Sequence, residues 1–317
     1  MTRRFRRAVQ GIGVLGLVLT SLALLGGAAQ PNLADEWLAR PVDDRTFKTY
    51  LDFFAYDRHV PFELKVVDTS EREGISKEHL SFQSTPGVRV SANLYQSISS
   101  AARNAPALIF LHGAGIGGKD SRGSVLRSEN LTRAGYTVLA IDLQYWGERG
   151  TDLLMTFTEQ EKHEKLYNQP SMYLAWVAQN VKDVGRSFDL LVEHKKVDPK
   201  RIGLFGASRG AILGSIVVGV DRRLVAVVLL NGAHFDALER EHLPAACPAN
   251  YVGRISPRPL LMLNGLYDQD HIKATSVEPL YRLARPPKQI LWSEAGHAPP
   301  TEKNEAAMLQ WLREHLK

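Results

Sequence analysis

The sequence predicts a doubly wound α/β fold: one mostly parallel sheet of eight strands flanked by helices. Three observations carry this. Six runs (ALIFLH, YTVLAID, RIGLFG, LVAVVLLN, PLLMLN and KQILWS) are apolar at consecutive positions, the pattern of strands buried on both faces. Helix-forming stretches lie between them, at Gly123–Ala134, Ser171–His194, Ala211–Gly219 and Lys303–His315. Ahead of them, Glu63–Asp68, His79–Ser84 and Val88–Tyr95 follow one another across turn-sized gaps, one of them holding Pro86-Gly87, as in an antiparallel meander. A meander running into alternating strands and helices gives an open sheet with helices on both faces. Counted from His79, the strands number eight.

Taken in order, the chain opens with MTRRFRRAVQGIGVLGLVLTSLALLGGAAQ. An arginine cluster, an apolar stretch from Gly11 to Leu25 and small residues to Ala29 form the three-part layout of an export signal, with cleavage after Ala29. The competing reading is a retained anchor, since no charge falls between Arg7 and Asp35; residues 8–29 would then attach the chain to a membrane. Either reading places the folded part outside the cytoplasm, secreted or periplasmic. Residues 31–62 form an amphipathic lead-in, and residues 63–317 the single α/β domain. Residues Trp146–Asn168 are longer than a strand-to-helix connection needs. They form either an excursion over the sheet edge or an ordinary crossover with long loops.

Composition narrows the function. Of 317 residues 44% are hydrophobic and 23% charged, which fits a globular domain and excludes disorder. The lone Cys247 permits neither an internal disulfide nor a CxxC zinc site, and the scattered histidines show no HExxH spacing, so no metal is expected. Arg3, Arg4, Arg6 and Arg7 supply most of the net +5 charge. The remainder is nearly neutral and has no basic surplus for nucleic acid.

GASRG at Gly206–Gly210 matches G-x-S-x-G between an apolar strand and a helix-forming run, the context the motif needs. Ser208 would sit on a tight turn with its hydroxyl raised above the sheet. A serine hydroxyl needs an adjacent base. His297, in SEAGHAPP after the last strand, is the leading candidate; His234 and His271 follow strand ends, while His194, His242 and His315 lie among charges and read as surface. The base needs an orienting carboxylate. Asp268, after PLLMLN, leads, with Asp270 and Asp236 as alternatives. HGAG at His112–Gly115 offers backbone N–H groups of Gly113 or Ala114 for an oxyanion, joined by the N–H of Arg209; each donor is worth about 3 kcal/mol of transition-state stabilisation. His112 itself reads as structural. Tyr145, Trp146, Asn231 and Tyr267 stand near these loops, either as pocket lining or as core.

From about Glu63 to Lys317 the chain resembles the α/β-hydrolases, in particular the dienelactone hydrolase and acetyl-xylan-esterase-like branch. VDPKRIGLFGASRGA, LMLNGLYDQD and EAGH carry the resemblance, together with HGAG after the third strand, Ser208 after the fifth, Asp268 after the seventh and His297 after the eighth. The resemblance implies a serine hydrolase that cleaves small-molecule carboxylic esters through an acyl-Ser208 intermediate, without a cofactor. Dienelactone hydrolases carry Cys at the nucleophile position, so the Ser here points to esterase or peptidase chemistry rather than lactone-diene specificity. Two other functions fit the same fold: an exported serine peptidase resembling the prolyl-oligopeptidase catalytic domain, and a catalytically silent binding protein.

Overall fold

The structure is a computed structural model that describes residues 33–99, 105–151, 155–240 and 242–317. The export signal or anchor expected over residues 1–30 therefore lies outside the described residues.

The strands are β1 (Lys65–Arg72), β2 (Ile75–Thr85), β3 (Val88–Ser97), β4 (Ala107–Leu111), β5 (Thr137–Ile141), β6 (Ile202–Ala207), β7 (Val227–Leu230), β8 (Leu260–Gly265) and β9 (Lys288–Ser293). They form one sheet in the order β1-β2-β3-β5-β4-β6-β7-β8-β9. The pairs β1/β2, β2/β3 and β3/β5 are antiparallel and the other five parallel. This is the predicted architecture with nine strands rather than eight. The additional strand is β1, which overlaps the run Glu63–Asp68 at the start of the meander but precedes His79, where the count of eight begins; all its residues are exposed. It holds its place by main-chain pairing to β2, with an irregularity between Val66 and Asp68.

The central strands explain their own unbroken apolar runs. Along β4, Ile109 and Leu111 face one core while Leu108 and Phe110 face the other; Leu139 and Val138 in β5, and Leu229 and Val228 in β7, divide in the same way. The helix Pro170–Glu193 covers the first face with Trp176, Val177 and Val184, and the helix Arg209–Val220 adds Ile212, Ile216 and Val217. The second face meets Leu131 of the helix Arg122–Arg133 and Met308, Trp311 and Leu312 of the helix Glu302–His315. Each such side chain, fully buried, contributes about 1.5–3 kcal/mol. Phe47, Phe54 and Phe62 of the lead-in also belong to the first core.

Because β4 to β9 are parallel, the segments leaving their carboxyl ends gather along one edge of the sheet. Four of these hold HGAG, Ser208, Asp268 and His297.

Candidate active site

Ser208 stands between β6 and the helix Arg209–Val220, with φ 52° and ψ −117°. A side chain at positive φ is strained, and here the surroundings impose it. The Ser208 N–H donates to the Leu230 carbonyl at 2.8 Å, and its own carbonyl accepts from Ala211 N–H at 2.8 Å and Ile212 N–H at 3.0 Å. The flanking glycines are needed for close approach. A Cβ on Gly206 would lie 2.8 Å from Ala211 Cα and strike the Gly210 carbonyl, and one on Gly210 would strike the carbonyls of Leu111 and His112.

Three side chains are brought together as the sequence suggests. His297 Nε2 lies 2.8 Å from Ser208 Oγ, and His297 Nδ1 lies 2.8 Å from Asp268 Oδ2. A carboxylate only accepts, so Nδ1 carries the proton and the neutral ring turns its Nε2 lone pair to the serine hydroxyl. The other oxygen of Asp268 accepts backbone N–H groups from Asp270 and His271, both at 2.9 Å. Burial would lower the His297 pKa, but the hydrogen bond and charge of Asp268 outweigh it and hold it above the ordinary value. Burial would likewise raise Asp268, yet its bonds from His297 and the His271 N–H leave it lowered.

The two alternative carboxylates stand elsewhere. Asp270 is exposed, 3.9 Å from His297 Nδ1. Asp236 pairs with Arg209 and His163 instead. Of the other histidines, His271 is buried, with Nδ1 2.6 Å from the Asn231 carbonyl, so Nδ1 donates; burial and the neighbouring His297 pull it down to about 4, and it stays neutral. His234 is buried with its ring against Phe235. His242 is buried too, contrary to the surface reading, because Tyr173 and Phe235 pack on its ring and its Nε2 donates to the Tyr167 carbonyl at 2.9 Å.

The HGAG loop lies against Ser208: a Cβ on Gly113 would be 3.2 Å from Ser208 Cβ. Its peptide planes are set by side chains. His112 Nε2 accepts from Leu143 N–H at 3.0 Å, so Nδ1 donates to the Gly113 carbonyl at 2.6 Å. The Trp146 indole donates to the Ala114 carbonyl at 3.0 Å. In a trans peptide the N–H opposes the carbonyl, so anchoring the Gly113 carbonyl to His112 turns the Ala114 N–H the other way. His112 is structural, as expected, and burial lowers its pKa. Trp146 is core rather than lining, stacked on Tyr167. Tyr267 is 62% exposed, and the Asn231 side chain donates to the Ala298 carbonyl beside His297.

Around Ser208 opens a cavity of about 320 Å³, lined by Ala114, Gly115, Arg209, His271 and His297 and by Glu159, His163, Asp236 and Leu238. Sequence reasoning missed the buried charges of the Arg209 and Asp236 part of this lining. The Arg209 side chain is buried against Asp236 and Glu239 and lies 3.7 Å over the Tyr167 ring. His163 belongs to a charged helical run, TEQEKHEKLY, that reads as surface in isolation. Its length gave the one available signal, since the segment after β5 was already too long for a simple connection.

Among the described residues, two groups have metal-ligand types close together: Asp268, His271 and His297, and His163, Asp236 and Glu239. In the first, Asp268 and His297 are engaged with each other and with Ser208. In the second, a cation would meet the Arg209 guanidinium already bound to both carboxylates. Neither arrangement fits a metal ion better than its present hydrogen bonds.

No protein-family model matches the sequence. A curated protein, the uncharacterised YfhR of Escherichia coli O157:H7, is 31% identical in an alignment of 113 positions that covers 32% of this chain and 39% of that protein's length. Solved structures resemble the chain over far more of its length. Acetyl xylan esterase 1 from Thermoanaerobacterium sp. JW/SL YS485 superposes with a TM-score of 0.66 at 19% identity, over 90% of this chain and 98% of that one. For the acetyl xylan esterase from Paenibacillus sp. R4 the TM-score is 0.70 at 16% identity, over 90% and 100%. A cold-adapted esterase from an Arctic intertidal metagenomic library gives 0.61 at 16%, over 79% and 98%. At these identities the likeness establishes a shared fold, and that fold is the mostly parallel α/β sheet flanked by helices that the sequence predicts.

Proposed function

We propose that the protein is a serine esterase that hydrolyses small carboxylic esters through an acyl-Ser208 intermediate. One observation carries the reading: the hydrogen-bonded chain from Ser208 Oγ through His297 to Asp268, with both links at 2.8 Å, beside a cavity that Ser208 and His297 line. That the solved structures sharing its fold include acetyl xylan esterases and other esterases supports the reaction class.

The chemistry follows from the protonation states. His297 Nε2 takes the proton of Ser208 Oγ as the oxygen attacks the ester carbonyl carbon. Asp268 holds the ring in the required tautomer and stabilises the imidazolium. The negative charge on the former carbonyl oxygen is met by backbone N–H groups of Ala114 or Gly113 and of Arg209, at the start of a buried helix whose dipole adds to them. The bond to the alcohol oxygen then breaks, and His297 returns its proton to that oxygen, leaving acyl-Ser208. A water gives its proton to His297 and attacks the acyl carbon; collapse releases the carboxylic acid and restores the Ser208 hydroxyl. No step calls on a cofactor. In the same reading residues 1–30 direct export, and the mature chain recovered from its native envelope begins near Gln30.

The test is covalent labelling with a fluorophosphonate, together with turnover of acetyl, butyryl and longer p-nitrophenyl esters and of a peptide amide. Wild type should label and hydrolyse the shorter esters, and Ser208→Ala should do neither. A folded wild type that neither labels nor turns over any ester would sink the proposal, and preference for the amide would replace esterase by peptidase.

A further inference from the structure

Two cationic side chains from separate parts of the chain converge on one oxygen. Asp236 Oδ2 accepts from Arg209 Nη2 at 2.5 Å and from His163 Nε2 at 2.7 Å, while its Oδ1 accepts the Leu238 N–H at 2.8 Å. Arg209 adjoins Ser208, and His163 belongs to the helical segment Thr158–Asn168 that follows β5. The other nitrogen of His163, Nδ1, lies 2.7 Å from the Glu159 carbonyl oxygen. Both nitrogens therefore face atoms that can only accept, and the ring is fully satisfied only as the imidazolium. The charged groups around it are Asp236, Arg209 and Glu239. The Arg209 guanidinium lies over the ring of Tyr167, in the same segment as His163.

Resting on the esterase reading, we propose that Asp236 is a positioning residue that fastens Thr158–Asn168 to the nucleophile turn by bridging Arg209 and His163. The segment thereby becomes a fixed wall of the ester cavity and limits the size of ester admitted. The cavity volume, about 320 Å³, is at the small end for ligand sites, and Glu159, His163, Asp236 and Arg209 make up this side of it. A second attachment, between the Asn168 side chain and the main chain of Leu238 and Arg240, stays in place when the bridge is cut. Cutting the bridge should loosen the wall without detaching it.

The test uses the full chain with His163→Ala, Asp236→Asn and the double variant. The ratio of kcat/KM for p-nitrophenyl octanoate to that for the acetate should rise by about fivefold or more in each single variant, with little further gain in the double variant. Asp236→Glu, which keeps a carboxylate, should fall between wild type and Asp236→Asn. An unchanged ratio in both single variants overturns the proposal, since a merely structural loss would lower both esters alike. His163→Ala leaves the Arg209 pairs intact and serves if Asp236→Asn fails to fold. Amide hydrogen exchange over Thr158–Asn168 gives a readout independent of turnover and should quicken by about tenfold in the variants. If wild type hydrolyses no ester, the esterase reading falls while exchange still decides the bridge; wild-type exchange in His163→Ala overturns it.

Discussion

Two aspartate–histidine pairs flank Ser208 and look alike at first sight. Asp268 binds His297 at 2.8 Å and Asp236 binds His163 at 2.7 Å; in both the imidazole pKa is raised and the carboxylate pKa lowered, because each charge favours the other against burial. The difference lies at the far nitrogen. For His297 that nitrogen meets a hydroxyl, which can donate, so the neutral ring is at home and can receive a proton. For His163 it meets a carbonyl, which cannot donate, so the ring is at home only when charged. An Asp–His pair is thus not a catalytic signature in itself. The atom facing the second nitrogen decides whether the pair is poised to move a proton or to hold two segments together.

Replacing each aspartate tests this distinction most severely. Asp268→Asn should lower kcat by up to about 10⁴, through loss of imidazolium stabilisation and a wrong tautomer. Asp236→Asn should lose orders of magnitude less, and the exposed Asp270→Asn less than about tenfold. Equal losses in the first two, measured as initial rates on the acetate ester, would erase the distinction. The pH profile sharpens it further. As the proposed base, His297 would act only when neutral, so kcat/KM should fall about tenfold per pH unit on the acid side, with the limb centred above the ordinary imidazole value because Asp268 raises it. A limb centred below that value would contradict the assignment.

The smallest effect belongs to His163. Its pKa is raised in the folded state, so its charge contributes stability that is complete below the unfolded imidazole value and is lost as pH rises through the folded one. In urea unfolding, wild type should exceed His163→Ala by about 1 kcal/mol at pH 5.5, with the gap narrowing toward pH 9. A gap that widens with pH would mean that His163 is held neutral.

How much of this could be read in the sequence depended on whether a feature is local. The parallel strands announce themselves because burial on both faces removes alternation, as in ALIFLH and LVAVVLLN. Ser208, Asp268 and His297 follow from strand order plus a short motif, and each stands on the first loop positions after its strand. The run Glu63–Asp68 points to β1, but that strand is exposed along its whole length and falls outside a count that begins at His79; its observed end at Arg72 has no apolar signal. His242 was misread because the rings that bury it come from Tyr173 and Phe235 on separate elements. The bridge at Asp236 joins residues 73 and 27 positions apart, and neither partner departs from what a solvated face would show.

The geometry at Ser208 has a consequence for how this position can change over time. A residue held at φ 52°, ψ −117° costs on the order of 1–3 kcal/mol, against a net stability of about 5–15 kcal/mol for a typical domain. Glycine would relieve that strain, so drift toward sturdiness alone would carry position 208 to glycine. In the proposed reading the side chain persists at position 208 because its hydroxyl is needed, while the surrounding hydrogen bonds hold the turn. The backbone at this turn therefore works as a ratchet: once the hydroxyl falls out of use, relaxation to glycine is downhill and the return to serine is uphill.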